Sequence, residues 1–157
     1  MRIYLTSTFH LLFVCMFCLL LNLVCGSNSP SNDSSALQRR LAFREKIKLE
    51  LGAKYFQPVA SVADSQNERG AEIYSKLCAP CHGGRGKGDG FTAEGLLVPP
   101  SDFTDAKQAA FYSEPARVYI IRNGVPGTPM IGWDRILPED DILAVYAFVR
   151  SLITSKQ

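Results

Sequence analysis

Apolar positions along this chain form one unbroken run near the start and several helical stripes after it. Residues 11–21 are continuously apolar over 11 positions, short for a membrane span and right for the core of a signal peptide. Between residues 36 and 55, Leu37, Leu41, Ile47, Leu51 and Tyr55 recur at near-helical spacing. Ile73, Tyr74 and Leu77 give residues 67–77 the period of an amphipathic helix, not the alternation of a strand. A short helix is expected within residues 103–111. Another is expected from Ser113, an N-cap residue, through Pro115 in the first turn to the Asn123-Gly124 stop, with Val118, Ile120 and Ile121 facing inward. Ile142, Val145, Tyr146 and Val149 mark a last helix over about residues 138–153. Glu139, Asp140 and Asp141 put negative charge at its positive end. Every element read from these stripes is a helix.

Polar composition divides the chain further. Residues 1–26 read as a signal peptide or lipoprotein signal, residues 27–35 as a flexible Ser/Asn-rich tether, residues 36–66 as a basic amphipathic helix with a linker, and residues 67–157 as a compact domain. After the apolar run, cleavage following Gly26, lipid attachment at Cys25 and an uncleaved anchor all remain open; Val24 is larger than the residue that normally precedes a lipid-bearing Cys. Residues 36–55 carry six Lys or Arg against two Glu. They suit a helix packed across the following domain, or a basic helix lying on anionic lipid or an acidic partner. Residues 67–157 carry ten Lys or Arg against eleven Asp or Glu, so nucleic acid binding has no electrostatic basis.

The chemistry concentrates in Cys78-Ala79-Pro80-Cys81-His82. C-x-x-C-H is the spacing of covalent haem attachment: two thiols one turn apart can add across the two porphyrin vinyl groups, and the adjacent His can reach the iron. Zinc is a competitor, but a closed structural site needs four ligands, and the other candidates, Cys15, Cys18, Cys25 and His10, lie in the N-terminal segment. A thioredoxin-like dithiol is the second competitor, since C-A-P-C resembles its C-x-P-C; that motif follows a strand, whereas this one follows a helical pattern. Residues 83–90 contain five glycines, which permit positive φ and close approach of the backbone to something flat.

With its C-x-x-C-H-G leading into Gly86-Lys87-Gly88-Asp89-Gly90, the sequence resembles the class I c-type cytochromes, specifically the small bacterial monohaem type. The resemblance continues in Gly124-Val-Pro-Gly-Thr-Pro-Met130 and in residues 137–152, and covers roughly residues 67–155. It implies an all-α fold, a cytochrome c-like small helical domain wrapped around one covalent haem c. Cys78 and Cys81 would bind the porphyrin and His82 would be the proximal iron ligand. After the leader there is no second His, and Met130 is the one Met. A lone Met is commonly core filler, but its place in a loop like the family's ligand loop makes Met130 the expected distal ligand. His82 and Met130 would then be the metal ligands, with no catalytic residue.

Further expectations follow from the resemblance. Gly70 and Tyr74 should meet the last helix, where only a small residue lets two backbones cross closely. The carbonyl of Pro99 or Pro100 should accept the bond from the proximal imidazole Nδ1. Trp133 and Arg135 could reach haem propionates, though packing and exposure suit them better. Two departures stand out: Leu137 occupies the usual cap position of the last helix, and Met130-Ile131 replaces Met-Pro. His/Met ligation favours ferrous iron and a raised potential, and a filled sixth position leaves no place for oxygen or peroxide. The expected function is single-electron transfer, without substrate turnover, between periplasmic or membrane redox partners such as respiratory chain components. Alternatives are a haem c subunit of a terminal oxidase or reductase complex, a haem peroxidase or ligand sensor in which Met130 dissociates, and a dithiol oxidoreductase. The expected location is the periplasmic side of a bacterial cell membrane, lipid-anchored through Cys25, held by residues 36–55, or soluble.

Overall fold

The computed structural model describes residues 32–60 and 64–154. The predicted leader, Cys25 and residues 27–31 of the predicted tether lie outside the described residues. The chain divides into two compact units, Met1–Gln38 and Arg39–Gln157. Among the described residues six α-helices follow in order: α1 Asn32–Leu51, continued by a 3-10 turn at Gly52–Phe56, α2 Asp64–Leu77, α3 Ala79–His82, α4 Ala106–Ala110, α5 Glu114–Asn123 and α6 Glu139–Thr154. The described residues contain no strand, only an isolated antiparallel bridge between Gly124 and Ile131. None of their helices is long and apolar enough to cross a membrane.

Local chemistry accounts for most helix ends. Ser113 Oγ accepts the Ala116 N–H at 3.3 Å, and Gly124, at φ 75°, closes α5 by donating to the Ile120 carbonyl at 2.8 Å. Asp105 caps α4 by accepting from the Gln108 N–H at 2.9 Å. At α6 no side chain is needed: the Pro138 carbonyl accepts from the Asp141 and Ile142 N–H groups at 3.0 and 3.1 Å, so Leu137 lies one residue outside the cap. Two boundaries differ from the sequence expectation. α2 starts at Asp64, three residues before 67, and α1 starts at Asn32, inside the stretch read as tether. Asn, Asp and Ser are favoured both in flexible linkers and at helix N-termini, so composition alone does not separate the two.

The main core joins α2, α5 and α6 through Ile73, Val118, Ile121, Ile142, Val145 and Tyr146. Its closest approach is the crossing of α2 and α6, where a Cβ on Gly70 would stand 2.0 Å from the Ala144 carbonyl oxygen. Arg69 clamps the same crossing from outside with two bonds to the Asp141 carboxylate, 3.1 and 2.9 Å. A second cluster, Ile47, Tyr55 and Ala116, is flanked by Phe43, Leu51, Tyr112, Tyr119 and Ile120. The C-terminal half of α1 and its 3-10 turn therefore pack on α5, the arrangement of a supporting helix. Val59 is fixed behind them: its N–H donates to Glu114 at 2.8 Å and its carbonyl accepts from Arg150 at 3.2 Å.

Ile47 has no exposed surface, so Ile47→Ala is expected to cost about 2–5 kcal/mol of holoprotein stability. Thermal denaturation followed by circular dichroism checks this. An unchanged melting temperature would mean that α1 lies outside the cooperative unit.

Candidate functional site

The site is built on the backbone turn that ends α2. Cys78 donates its N–H to the Tyr74 carbonyl at 2.9 Å, while the Cys81 and His82 N–H groups donate to the Cys78 carbonyl at 3.2 and 2.8 Å. One helical turn thus holds both thiols and the imidazole. The glycine-rich segment then folds back over that turn: the Gly88 N–H donates to the His82 carbonyl, Gly90 to Cys81 and Thr92 to Pro80, at 2.9, 3.1 and 3.0 Å. Gly90 is required there, because a Cβ would lie 2.1 Å from the Pro80 oxygen. Tyr74, 1 % exposed, packs on Phe148 and donates its hydroxyl to the Gly83 carbonyl at 2.8 Å. A residue expected only to touch the last helix also anchors the loop.

Both cysteines are free and half-buried. Cys78 rests against the main core, and burial, reinforced by neighbouring Cys81, pushes its thiol up to about 11. Cys81 Sγ lies 3.0 Å from Thr92 Oγ1. Among the described residues no group of three or more His, Cys, Asp or Glu side chains is arranged to hold a metal ion; the four-ligand demand of zinc is not met there.

His82 stacks on Phe103, ring centroids 5.0 Å apart and planes 14° from parallel. Its Nδ1 is buried and has no hydrogen-bond partner. Burial holds the imidazole below the usual histidine range, partly offset by the Ser101 backbone carbonyl, which lies near the ring without completing a bond. Neither the Pro99 nor the Pro100 carbonyl completes a bond to Nδ1. The Pro100 carbonyl instead faces Gly88, where a Cβ would sit 2.5 Å from its oxygen. When Nε2 of an imidazole binds a metal, Nδ1 carries the proton and seeks a nearby acceptor. An orphaned, buried Nδ1 fits that demand.

Met130 is half-buried, in a loop joined to the end of α5. The Val125 N–H donates to the Met130 carbonyl at 2.9 Å, the Met130 N–H donates to Thr128 Oγ1 at 3.2 Å, and the Trp133 N–H donates to the Ile121 carbonyl at 3.0 Å. These bonds and the Gly124–Ile131 bridge supply the stiffness that proline would have given after Met130. Trp133 packs on the main core, while Arg135 is exposed. Sequence reasoning did not single out Thr92, Ser101 or Thr128, nor give Phe103 its place against His82. Thr92, Ser101 and Phe103 reach the turn only because the chain folds back from 11 to 21 residues away, which no local pattern marks, whereas Thr128 acts two residues from Met130 within the Gly124–Met130 motif.

A family model for cytochrome c matches residues 67–152, more than half of the chain. The chain belongs to the cytochrome c family. Its cofactor is accordingly haem c, covalently bound, and its helical architecture is that of the family. The free thiols one turn apart and the orphaned imidazole nitrogen suit that group. No curated protein sequence matches this cytochrome. Among solved structures, a chain of the reducing HAO-like protein complex Kustc0457/Kustc0458 of Kuenenia stuttgartiensis is similar, with 29 % identity and a TM-score of 0.50 over 66 % of this chain and 55 % of that one. The cytochrome thus spans about half the length of that relative.

Proposed function

We propose that this cytochrome is a single-electron carrier with one haem c held by Cys78 and Cys81, His82 as proximal ligand and Met130 as distal ligand. The observation that carries this reading is the pair of backbone-fastened segments, the Cys78–His82 turn and the Met130 loop, that present the family's ligand types within one helical domain. When bound, the haem supplies a one-electron iron couple. The residues around it do the rest. Phe103 orients the His82 ring by stacking, Tyr74 and Gly90 lock the glycine loop over the attachment turn, and Thr128 fixes the backbone of Met130. Such bonds limit rearrangement when the charge at the centre changes by one, which suits rapid transfer and not substrate turnover.

Met130→Ala is expected to lower the reduction potential by on the order of 0.1 V or more, since axial ligands govern a range of roughly 0.8 V. It should also open the ferrous form to carbon monoxide. Potentiometric titration and a carbon monoxide difference spectrum check both outcomes; a potential and spectrum equal to those of the parent protein would remove Met130 from the ligand set.

A second reading is that the same domain serves as the haem c subunit of a larger redox complex. The similarity to a chain of a multi-protein assembly favours it. Stable co-purification with another redox protein at high salt would support the subunit role, and a monomeric holoprotein that exchanges electrons with several partners would support the free carrier. For either role we propose export to the periplasmic side of a bacterial cell membrane, supported by the apolar run at residues 11–21. Cell fractionation with mass spectrometry of the mature N-terminus tests the location and distinguishes cleavage from lipid attachment at Cys25.

A further inference from the structure

We propose that the outward side of α1 and its 3-10 extension, with Leu49 and Phe56 projecting among Lys46, Lys48 and Lys54, docks on an anionic lipid bilayer. In this segment Ile47 and Tyr55 are 0 % and 8 % exposed, facing α5, whereas Leu49 and Phe56 are 84 % and 71 % exposed. Helical geometry turns Leu49 about 200° from Ile47, with Lys46 and Lys48 to its two sides. Lys48 Nζ stands 5.7 Å over the Phe56 ring, which places Phe56 beside the same basic side chains. A Leu and a Phe left in water among basic side chains, on a segment whose other side is buried against α5, suit a covering surface.

Charge says what kind of surface. Residues 36–55 carry a net +4, from six Lys or Arg and two Glu, while residues 67–157 carry −1, from ten and eleven. Arg40 and Arg44 lie over the Phe111 ring on the packed side, while Lys46, Lys48 and Lys54 are exposed, so cations outnumber Glu45 and Glu50 where the segment exposes Leu49 and Phe56. Glu50 and Glu45 pair with Lys46 and Lys48 only at 3.7 and 3.8 Å on the surface. Loose exposed pairs of this kind contribute little and exchange readily for other anions. A bilayer is favoured over an acidic protein for three reasons. The apolar side chains stand on the convex side of a helix and not in a groove, the cations beside them are lysines whose stems can lie in the interface with their ammonium groups among phosphates, and an 11-residue apolar run precedes this segment in the chain. A second copy of the same face would meet it with like charge.

Lysine footprinting of the full-length holoprotein tests the proposal, because it reads position and is indifferent to other membrane anchors. Acetylation rates are measured by mass spectrometry in solution, on phosphatidylcholine vesicles and on vesicles containing phosphatidylglycerol. Lys46, Lys48 and Lys54 should react about fivefold more slowly on the anionic vesicles, the effect of about 1 kcal/mol per lysine near such a surface. Lys76, Lys87 and Lys107, exposed elsewhere, should be unchanged. The protection should disappear in about 0.5 M salt and in a Leu49→Ser/Phe56→Ser variant whose haem spectrum and melting temperature match the parent. If that variant does not fold, Lys46→Gln/Lys54→Gln must weaken protection of Lys48. Four results would overturn the proposal: uniform or absent protection, equal protection on neutral vesicles, protection already present without vesicles, as residues 1–31 or a second copy would give, and protection appearing only with an acidic redox protein.

Discussion

Gly70→Ala is expected to lower the melting temperature of the holoprotein by about 10 °C or more, and Gly70→Val to prevent the folded protein from accumulating. In most helices the first exchange would be mildly favourable, by about 0.5–1 kcal/mol, because alanine restricts the unfolded chain and favours the helix. Here a methyl group would point into the backbone of α6, 2.0 Å from the Ala144 oxygen and 2.5 Å from its carbonyl carbon. No rotamer relieves that contact, since both partners are main chain. The helices must move apart, loosening Ile73 from Ile142 and Val145 across the main core and straining the Arg69–Asp141 clamp. Overpacking of this sort typically costs 1–3 kcal/mol and more where backbone is struck, enough to exceed the gain in helix propensity. At about 4–8 °C per kcal/mol for a domain near 100 residues, a net loss of about 2 kcal/mol gives the expected shift. Calorimetry of the purified variant checks it, and a melting temperature equal to or above that of the parent would show that the crossing can open without cost.

Gly70 was legible in the sequence only through the resemblance; nothing in its neighbours says that Ala144 will lie against it. The same boundary runs through the rest of the molecule. Ser113, Pro115 and Gly124 delimit α5 through contacts within four residues, and the Cys78–His82 spacing fixes one turn, so both could be read directly. The α1 stripe was harder. Residues Leu37, Leu41, Ile47, Leu51 and Tyr55 suggest one face, but the buried cluster draws on Phe43, Ile47, Leu51 and Tyr55. Arg40 and Arg44, legible only as charges, lie with their guanidinium groups 4.8 Å from the Phe111 ring. At the site, two consecutive prolines advertised a carbonyl for His82. The Pro100 carbonyl faces Gly88, and this leaves Ser101 beside the imidazole. A glycine loop's fold-back decides that choice, and it depends on contacts made after the chain has closed.

Produced without haem, the chain is expected to lose cooperative folding. Among the described residues the largest fully buried side chains are Tyr74, Tyr146, Ile47, Ile142 and Val145, and a domain near 100 residues draws only a marginal core from its own side chains. Between α3 and α4, residues 83–105 form no helix. Loops of that length without their own secondary structure are uncommon in compact domains and need external fastening. Their main-chain bonds to the preceding turn run to Ala79, Pro80, Cys81 and His82, and the Tyr74 hydroxyl adds one bond to Gly83, so the loop is fixed largely through the attachment turn. Thioether bonds from Cys78 and Cys81, with His82 on the iron, would hold that turn to a rigid group. Without them, a four-residue helix must stand alone, and helices so short are unstable in water. The α2–α6 crossing should survive as fluctuating helix, giving a broad loss of ellipticity on heating in place of a sharp transition. Circular dichroism and calorimetry of chain expressed without haem attachment test this; one cooperative transition with the heat absorption of the holoprotein would refute it. Cys78→Ser/Cys81→Ser, supplied with free haem, separates the covalent bonds from the porphyrin itself: partial recovery of a cooperative transition would assign folding to the filled core, and no recovery would assign it to the tethered turn.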